Sequence, residues 1–232
     1  AVALGWMIYN KTIFGGFFNL GYSYSELWVD QHHTGFMSLA APKLEAIWGI
    51  TFSPFRGLFF YSPILLLGLI GFFRWLRDGS YRLEAWVSLV CVLGMFIFNS
   101  ASGMWWGGFA IGPRYILPML PFLCLASCFA ITAVQRSFWA RVLTLGLMAW
   151  SFVIIWGLTF AGQAFPPDTL QNPIIEYGLL NWREGNIARN LGTIVGLRTY
   201  WSLLPLLIYI FIGCMLAYKL SIPILSIGED KG

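Results

Sequence analysis

Long apolar runs limit what a chain can become, because about twenty such residues in helical form match the hydrocarbon depth of a bilayer. Runs of this kind recur here near 57–73, 85–98, 115–134, 142–160 and 199–218. The second is shorter than the others, with Trp86 at its end as an interface anchor. Only 10% of the 232 residues are charged, against roughly 25% in soluble domains. So few charges cannot clothe a water-facing surface, and lipid must solvate much of the chain. Backbone N–H and C=O groups in hydrocarbon must pair within their own segment, so each run is expected to be α-helical. The expected fold is all-α: one transmembrane domain over 1–232, a polytopic bundle of about five full spans.

The opening residues 1–9 are apolar but only about half as long as a span needs. They read as the end of a helix that begins upstream, which makes the chain the C-terminal portion of a longer protein. Prolines fall where a helix tolerates them: Pro63, Pro118 and Pro121 lie in the first turns of their runs. The four cysteines, Cys91, Cys124, Cys128 and Cys214, sit inside apolar runs with no CxxC pair. They read as small buried hydrophobes rather than a zinc site or disulfide framework.

Basic residues set the orientation. Arg74, Arg77 and Arg82 follow the first run, Arg136 and Arg141 the third, and Lys219 and Lys231 the last. These segments are expected on the cytoplasmic side, with the C-terminus. The loops 10–56, 99–114 and 161–198 are then expected outside. The formal charge of +4 is dispersed between apolar runs, which argues against a nucleic-acid partner. Within the first outer loop, Leu44, Ile47, Trp48 and Phe52 recur at helical spacing after Pro42. That pattern predicts an amphipathic helix flat on the membrane face. A second interfacial helix is expected within 172–197, where Gly178, Gly185 and Gly192 interrupt the pattern.

The stretch with the most chemistry is Asn99-Ser-Ala-Ser-Gly-Met-Trp-Trp-Gly-Gly-Phe-Ala-Ile-Gly-Pro-Arg-Tyr. Glycines such as Gly107 and Gly108 permit tight turns and let backbone approach a ligand. Trp105 and Trp106 offer flat apolar faces suited to the C–H faces of a sugar ring. Pro113 is expected to start a helix with Arg114 in its first turn, where free N–H groups and a guanidinium fork suit a phosphate. Tyr115 follows at the same level. The plain alternative is a pair of interface tryptophans and an arginine snorkelling to lipid headgroups.

A second group comprises Glu26, Asp30, His32 and His33. Carboxylates beside imidazoles can bind a metal, move protons or contact a substrate. The spacing fits no metal motif, and a solvated loop is the default reading, so no cofactor is expected and a divalent ion is only the lesser option. Lys11, Lys43 and Arg56 lie in the same outer region and could assist an anionic ligand, with headgroup contact as the plain alternative. No phosphate-binding loop or dinucleotide fingerprint occurs. No acidic residue falls at the centre of a run, which gives an ion pathway little support.

Several of these runs, in this order, are similar to a known family. Tyr9-Asn10 with Phe14-Gly15-Gly16 and Leu20-Gly21-Tyr22, then Gly57-Leu58-Phe59-Phe60-Tyr61-Ser62-Pro63, then Trp105-Trp106-Gly107-Gly108 with Gly112-Pro113-Arg114-Tyr115-Ile116-Leu117-Pro118, and Asn172-Pro173 with Asn190-Leu191-Gly192 resemble bacterial GT-C type membrane glycosyltransferases. Those are relatives of the protein mannosyltransferases and of the lipid A aminoarabinose transferase. The resemblance implies an enzyme of the cell envelope, in the inner membrane with its active side outward. It implies transfer of a sugar from a polyprenyl-phosphate carrier to an acceptor. The acidic residue that acts as base in that family lies in the first outer loop, near the N-terminus, and has no counterpart here. The resemblance leaves Arg114 to contact the carrier phosphate, with Trp105, Trp106 and Tyr115 along the sugar or isoprenoid path. The competing expectation is a non-enzymatic flippase, transporter or scaffold subunit for lipid-linked sugars.

Overall fold

A computed structural model describes residues 2–19, 21–24, 26, 29, 38–79, 81–134, 137–164 and 166–229. Asp30, His32 and His33 lie outside the described residues. Among those described the chain is all-α, with ten α-helices linked by short 3-10 and π turns. They are α1 (Val2–Phe14), α2 (Leu44–Thr51), α3 (Leu58–Tyr61), α4 (Leu66–Asp78), α5 (Arg82–Ser100), α6 (Leu120–Val134), α7 (Phe138–Phe160), α8 (Leu180–Glu184), α9 (Leu191–Ile194) and α10 (Leu204–Glu229). Four stretches are long and apolar enough to cross a bilayer: Arg82–Ser100, Arg114–Thr132, Phe138–Phe160 and Thr199–Lys219. The protein is an integral membrane protein whose helices meet lipid.

The first expected span, 57–73, corrects to a broken one. The run from Gly57 is not a single helix but α3, a 3-10 turn at Pro63–Leu65, and the 13-residue α4. The break follows from Pro63, which has no N–H to give and whose ring crowds the preceding turn. In an unbroken helix the Ile64 N–H would bond to the Phe60 carbonyl. Here both partners are supplied by consecutive residues of α7. The indole N–H of Trp150 donates to the Phe60 carbonyl at 3.1 Å, and the Ile64 N–H donates to Ser151 Oγ at 3.3 Å. Backbone groups freed by a proline in a membrane must find partners from neighbouring helices, and this pair does so.

The chain divides into two compact units, Ala1–Ile155 with Pro166–Gln171, and Trp156–Phe165 with Asn172–Gly232. The first unit is centred on α4 packed against α6. Small residues permit the approach: a Cβ on Gly71 would lie 1.8 Å from the Ala126 carbonyl oxygen, and one on Gly68 2.7 Å from that of Leu123. Helices in lipid associate through close backbone approach of this kind, because lipid tails supply no hydrophobic drive. Trp75 stacks on Phe129 at 4.6 Å beside them. Ile50, Phe72, Val92, Trp105, Ile116 and Leu123 continue the core.

The segment after Pro42 is helical as its spacing predicts, but α2 begins at Leu44 rather than on the proline. Ala46, Gly49 and Ile50 face the protein, while Leu44, Trp48 and Phe52 are exposed. The apolar stripe of the sequence is thus the outward one.

In the second unit, the end of α7 pairs with the return strand-like segment through Gly162 N–H to the Asn186 carbonyl and Ala188 N–H to that of Phe160, both 2.8 Å. The indole N–H of Trp182 donates to the Gly157 carbonyl at 2.6 Å. The interfacial helix expected in 172–197 is two pieces. A π turn (Ile174–Leu179) leads into α8, which stops at Gly185, φ +67°. A short α9 follows, opened by a capping box between Asn190 and Thr193. Gly192 is required there, since a Cβ would meet the Ser202 carbonyl oxygen at 2.0 Å.

Candidate functional site: the Trp–Gly–Arg turn

The turn after α5 is built from both sides. Ala101 closes the helix, and Ser102 Oγ accepts from the Met104 N–H at 3.2 Å. Residues 38–43 run alongside: the Ala40 N–H donates to the Ala101 carbonyl at 2.8 Å, Lys43 N–H to that of Ser100 at 3.1 Å, and Gly103 N–H to that of Ser38 at 2.7 Å. These two segments therefore lie at the same end of the first unit. Gly107, Gly108 and Gly112 adopt φ of +78°, +68° and +74°, a region open to glycine and strained for other residues. Asn99, buried, donates from Nδ2 to the Trp105 carbonyl at 3.3 Å.

The two tryptophans take different places. Trp105 is buried, edge-on to Phe55 at 5.8 Å, its ring lying where a Cβ on Gly49 would come within 2.2 Å. Trp106 stands perpendicular to it at 5.9 Å and stays half-buried. The indole of Trp105 thus fills the core, and Trp106 presents the more accessible of the two faces.

Arg56 lies beneath the turn and is fully buried. It donates from Nε to the Trp106 carbonyl at 3.1 Å and from its two terminal nitrogens to the carbonyls of Gly108, 3.3 Å, and Phe55, 3.0 Å. The guanidinium also covers the Phe55 ring at 4.1 Å. Burial draws its pKa below the usual arginine range; Tyr61 and Asp168 favour the charge and Arg114 opposes it. A guanidinium starts so high that it stays protonated. Asp168, the only acidic residue between Phe160 and Asn172, stands in no sequence motif; its electrostatic interaction with Arg56 makes it part of this region.

Arg114 opens the 3-10 turn Arg114–Met119 that leads into α6, one residue after Pro113 as expected. Unlike Arg56, it is exposed. Its Cγ would lie 3.1 Å from a Cβ on Gly107, so the missing side chain makes room for the arginine stem. The guanidinium sits 5.2 Å from the Tyr115 ring centroid. Among the described residues no carboxylate pairs with it. The turn therefore brings Arg56, Trp105, Trp106, Gly107, Gly108, Arg114 and Tyr115 together, with one cation committed to the backbone and one open. Lys11 lies 4.6 Å from the Phe17 ring and Lys43 precedes α2, both exposed; Glu26 is exposed as well. No cluster of three metal-ligating side chains occurs among the described residues.

Comparison with protein-family models, curated proteins and solved structures yields no match to this chain.

Proposed function

We propose that the Trp–Gly–Arg turn holds the phosphate of a polyprenyl-phosphate-linked sugar, and that the chain serves in sugar transfer at the extracytoplasmic face of a bacterial inner membrane, with its C-terminus in the cytoplasm. One observation carries this reading. Arg114 is an exposed guanidinium without a carboxylate partner among the described residues, placed at the start of a stretch long and apolar enough to cross the bilayer. That is the depth at which a lipid-linked phosphate resides. The buried Arg56 keeps the loop in shape, so the turn offers its open cation without reorganising.

Within this reading Arg114 supplies forked donors to the phosphate, Tyr115 and Trp106 line the path of the sugar or isoprenoid, and Trp105 supports them from the core. The chemistry at the sugar, including the base, is assigned to no residue described above. The motif order similar to GT-C type transferases adds to the case for transfer over mere headgroup contact.

The test is Arg114→Ala in the complete protein, expected to abolish transfer while membrane insertion and yield stay normal. Full turnover in that variant removes the proposal. Movement of a lipid-linked sugar across proteoliposomes, with no transfer to any acceptor, assigns the turn to a carrier instead.

A further inference from the structure

The second unit contains a cleft of its own, about 460 Å³ in volume, edged by Gln163, Asn186, Thr193, Arg198 and Thr199. Its described lining holds one charged group, Arg198, and no carboxylate. Arg198 is exposed and extended in backbone, immediately before the stretch Thr199–Lys219 that can cross a bilayer. The hydroxyl of Thr193 is consumed by the capping box with Asn190. The Asn186 amide nitrogen is likewise used, donating to Asn181 Oδ1 at 2.5 Å. That leaves Gln163, Arg198 and the Thr199 hydroxyl as the side-chain donors of the lining with no partner among the described residues.

The walls are held open by backbone geometry. Gly185 and Gly196 adopt φ of +67° and +91°, and the β-branched Thr199 adopts φ +49°. Such a conformation in threonine is uncommon and persists only where surrounding structure imposes it. Here Gly185 leaves room for it: a Cβ there would lie 3.2 Å from Thr199 Cγ2. Outside the cleft, Tyr200 and Trp201 are exposed aromatics at the start of the crossing stretch, where such residues mark the headgroup level.

We infer that this cleft is a second anion site, separate from the Trp–Gly–Arg turn, which binds a phosphate ester bearing a hydroxylated group. Arg198 takes the phosphate, while Gln163 and the Thr199 hydroxyl bond the hydroxyls. A single cation without an opposing acid selects a singly or doubly charged anion, and the amide-rich wall favours a polyol over an alkyl chain. The inference does not depend on the role of Arg114.

The experiment uses the purified chain in nanodiscs of neutral phosphatidylcholine. In one arm glycerol 1-phosphate is titrated and followed by ligand-observed NMR, with glycerol as the uncharged control. In the other arm phosphatidylglycerol is doped into the nanodiscs, and retained lipid is counted by native mass spectrometry. Saturable uptake in either arm, weakened at least tenfold by Arg198→Gln and several-fold by Gln163→Ala, is the expected result. Uptake in the soluble arm identifies a free phosphate ester, and uptake in the doped arm alone identifies a lipid headgroup. Both altered side chains are exposed, and Arg198→Lys, expected to restore part of the binding, guards against a folding defect. Binding of glycerol as strong as its phosphate, binding unaffected by Arg198→Gln, or no saturable uptake in either arm overturns the inference.

Discussion

The guanidinium of Arg56 donates to the carbonyl oxygen of Trp106, 50 residues further along the chain, at 3.1 Å. This bond ties the loop ahead of the broken helix to the turn after α5, and makes a buried charge part of the fold rather than of a ligand site. Its loss is unequal among its acceptors. The Phe55 carbonyl also receives the Tyr61 hydroxyl at 3.3 Å, and the Gly108 carbonyl receives the Ala110 N–H at 2.8 Å. The deficit therefore falls mainly on Trp106. Arg56→Met, which keeps most of the volume, is expected to cost about 1–3 kcal/mol for a buried acceptor left unpaired. Arg56→Ala adds a cavity and costs more. Thermal unfolding in detergent checks both, and a variant as stable as the parent would contradict the assignment.

Arg114 should behave in the opposite way. It is exposed, so Arg114→Ala is expected to leave the unfolding midpoint within about 0.5 kcal/mol of the parent, while removing the activity proposed above. Gly107→Ala separates position from charge. The new methyl presses on the Arg114 stem and forces alanine into φ +78°, at a cost of roughly 1–2 kcal/mol. It should lower activity with Arg114 still present, and activity assays paired with melting curves distinguish the two effects.

Trp75 allows a sharper test of packing. Its indole N–H is buried with no hydrogen-bond partner among the described residues, while its ring stacks on Phe129 at 4.6 Å. Trp75→Phe removes the unmatched donor and retains an aromatic face, so stability should hold or rise by up to about 1 kcal/mol. Trp75→Ala should lose about 3–5 kcal/mol through the cavity. Equal loss in both variants would mean that the N–H is satisfied in solution.

Asn190 holds α9 to the start of the last crossing stretch. Its side chain accepts from the Thr193 N–H at 3.2 Å and donates to Ser202 Oγ at 3.0 Å. Asn190→Ala is expected to cost about 1–2 kcal/mol, since both the cap and the link are lost. Asn190→Asp keeps the cap but not the donor to Ser202, and should fall between the two. Faster hydrogen exchange at Leu191–Ile194 would locate the loss.

Much of this fold was legible because lipid imposes a simple rule on sequence. Apolar length marked the helices of Arg82–Ser100, Arg114–Thr132, Phe138–Phe160 and Thr199–Lys219 to within a few residues, and glycines marked the positive-φ turn at 107, 108 and 112. The spacing of Leu44, Trp48 and Phe52 identified the exposed stripe of α2. Hydropathy does not register hydrogen-bond supply, so it read 57–73 as continuous and missed the break at Pro63. It also gave Arg56 the same standing as Arg114. Only the three carbonyls converging from loops distant in sequence make the first structural and leave the second open. Asp168 and Arg198 carried no local pattern at all; each is placed by its neighbours in space.

The bend at Pro63 sets an order of events during insertion. Until α7 has been synthesised, the Phe60 carbonyl and the Ile64 N–H lack the partners that Trp150 and Ser151 provide some 90 residues later. In the interval the stretch either waits at the headgroups, where water can serve, or crosses as a provisional straight rod that must crease when α7 arrives. In both cases the run that follows Gly57 reaches its mature shape late, as a guest of a segment that emerges from the ribosome well after it.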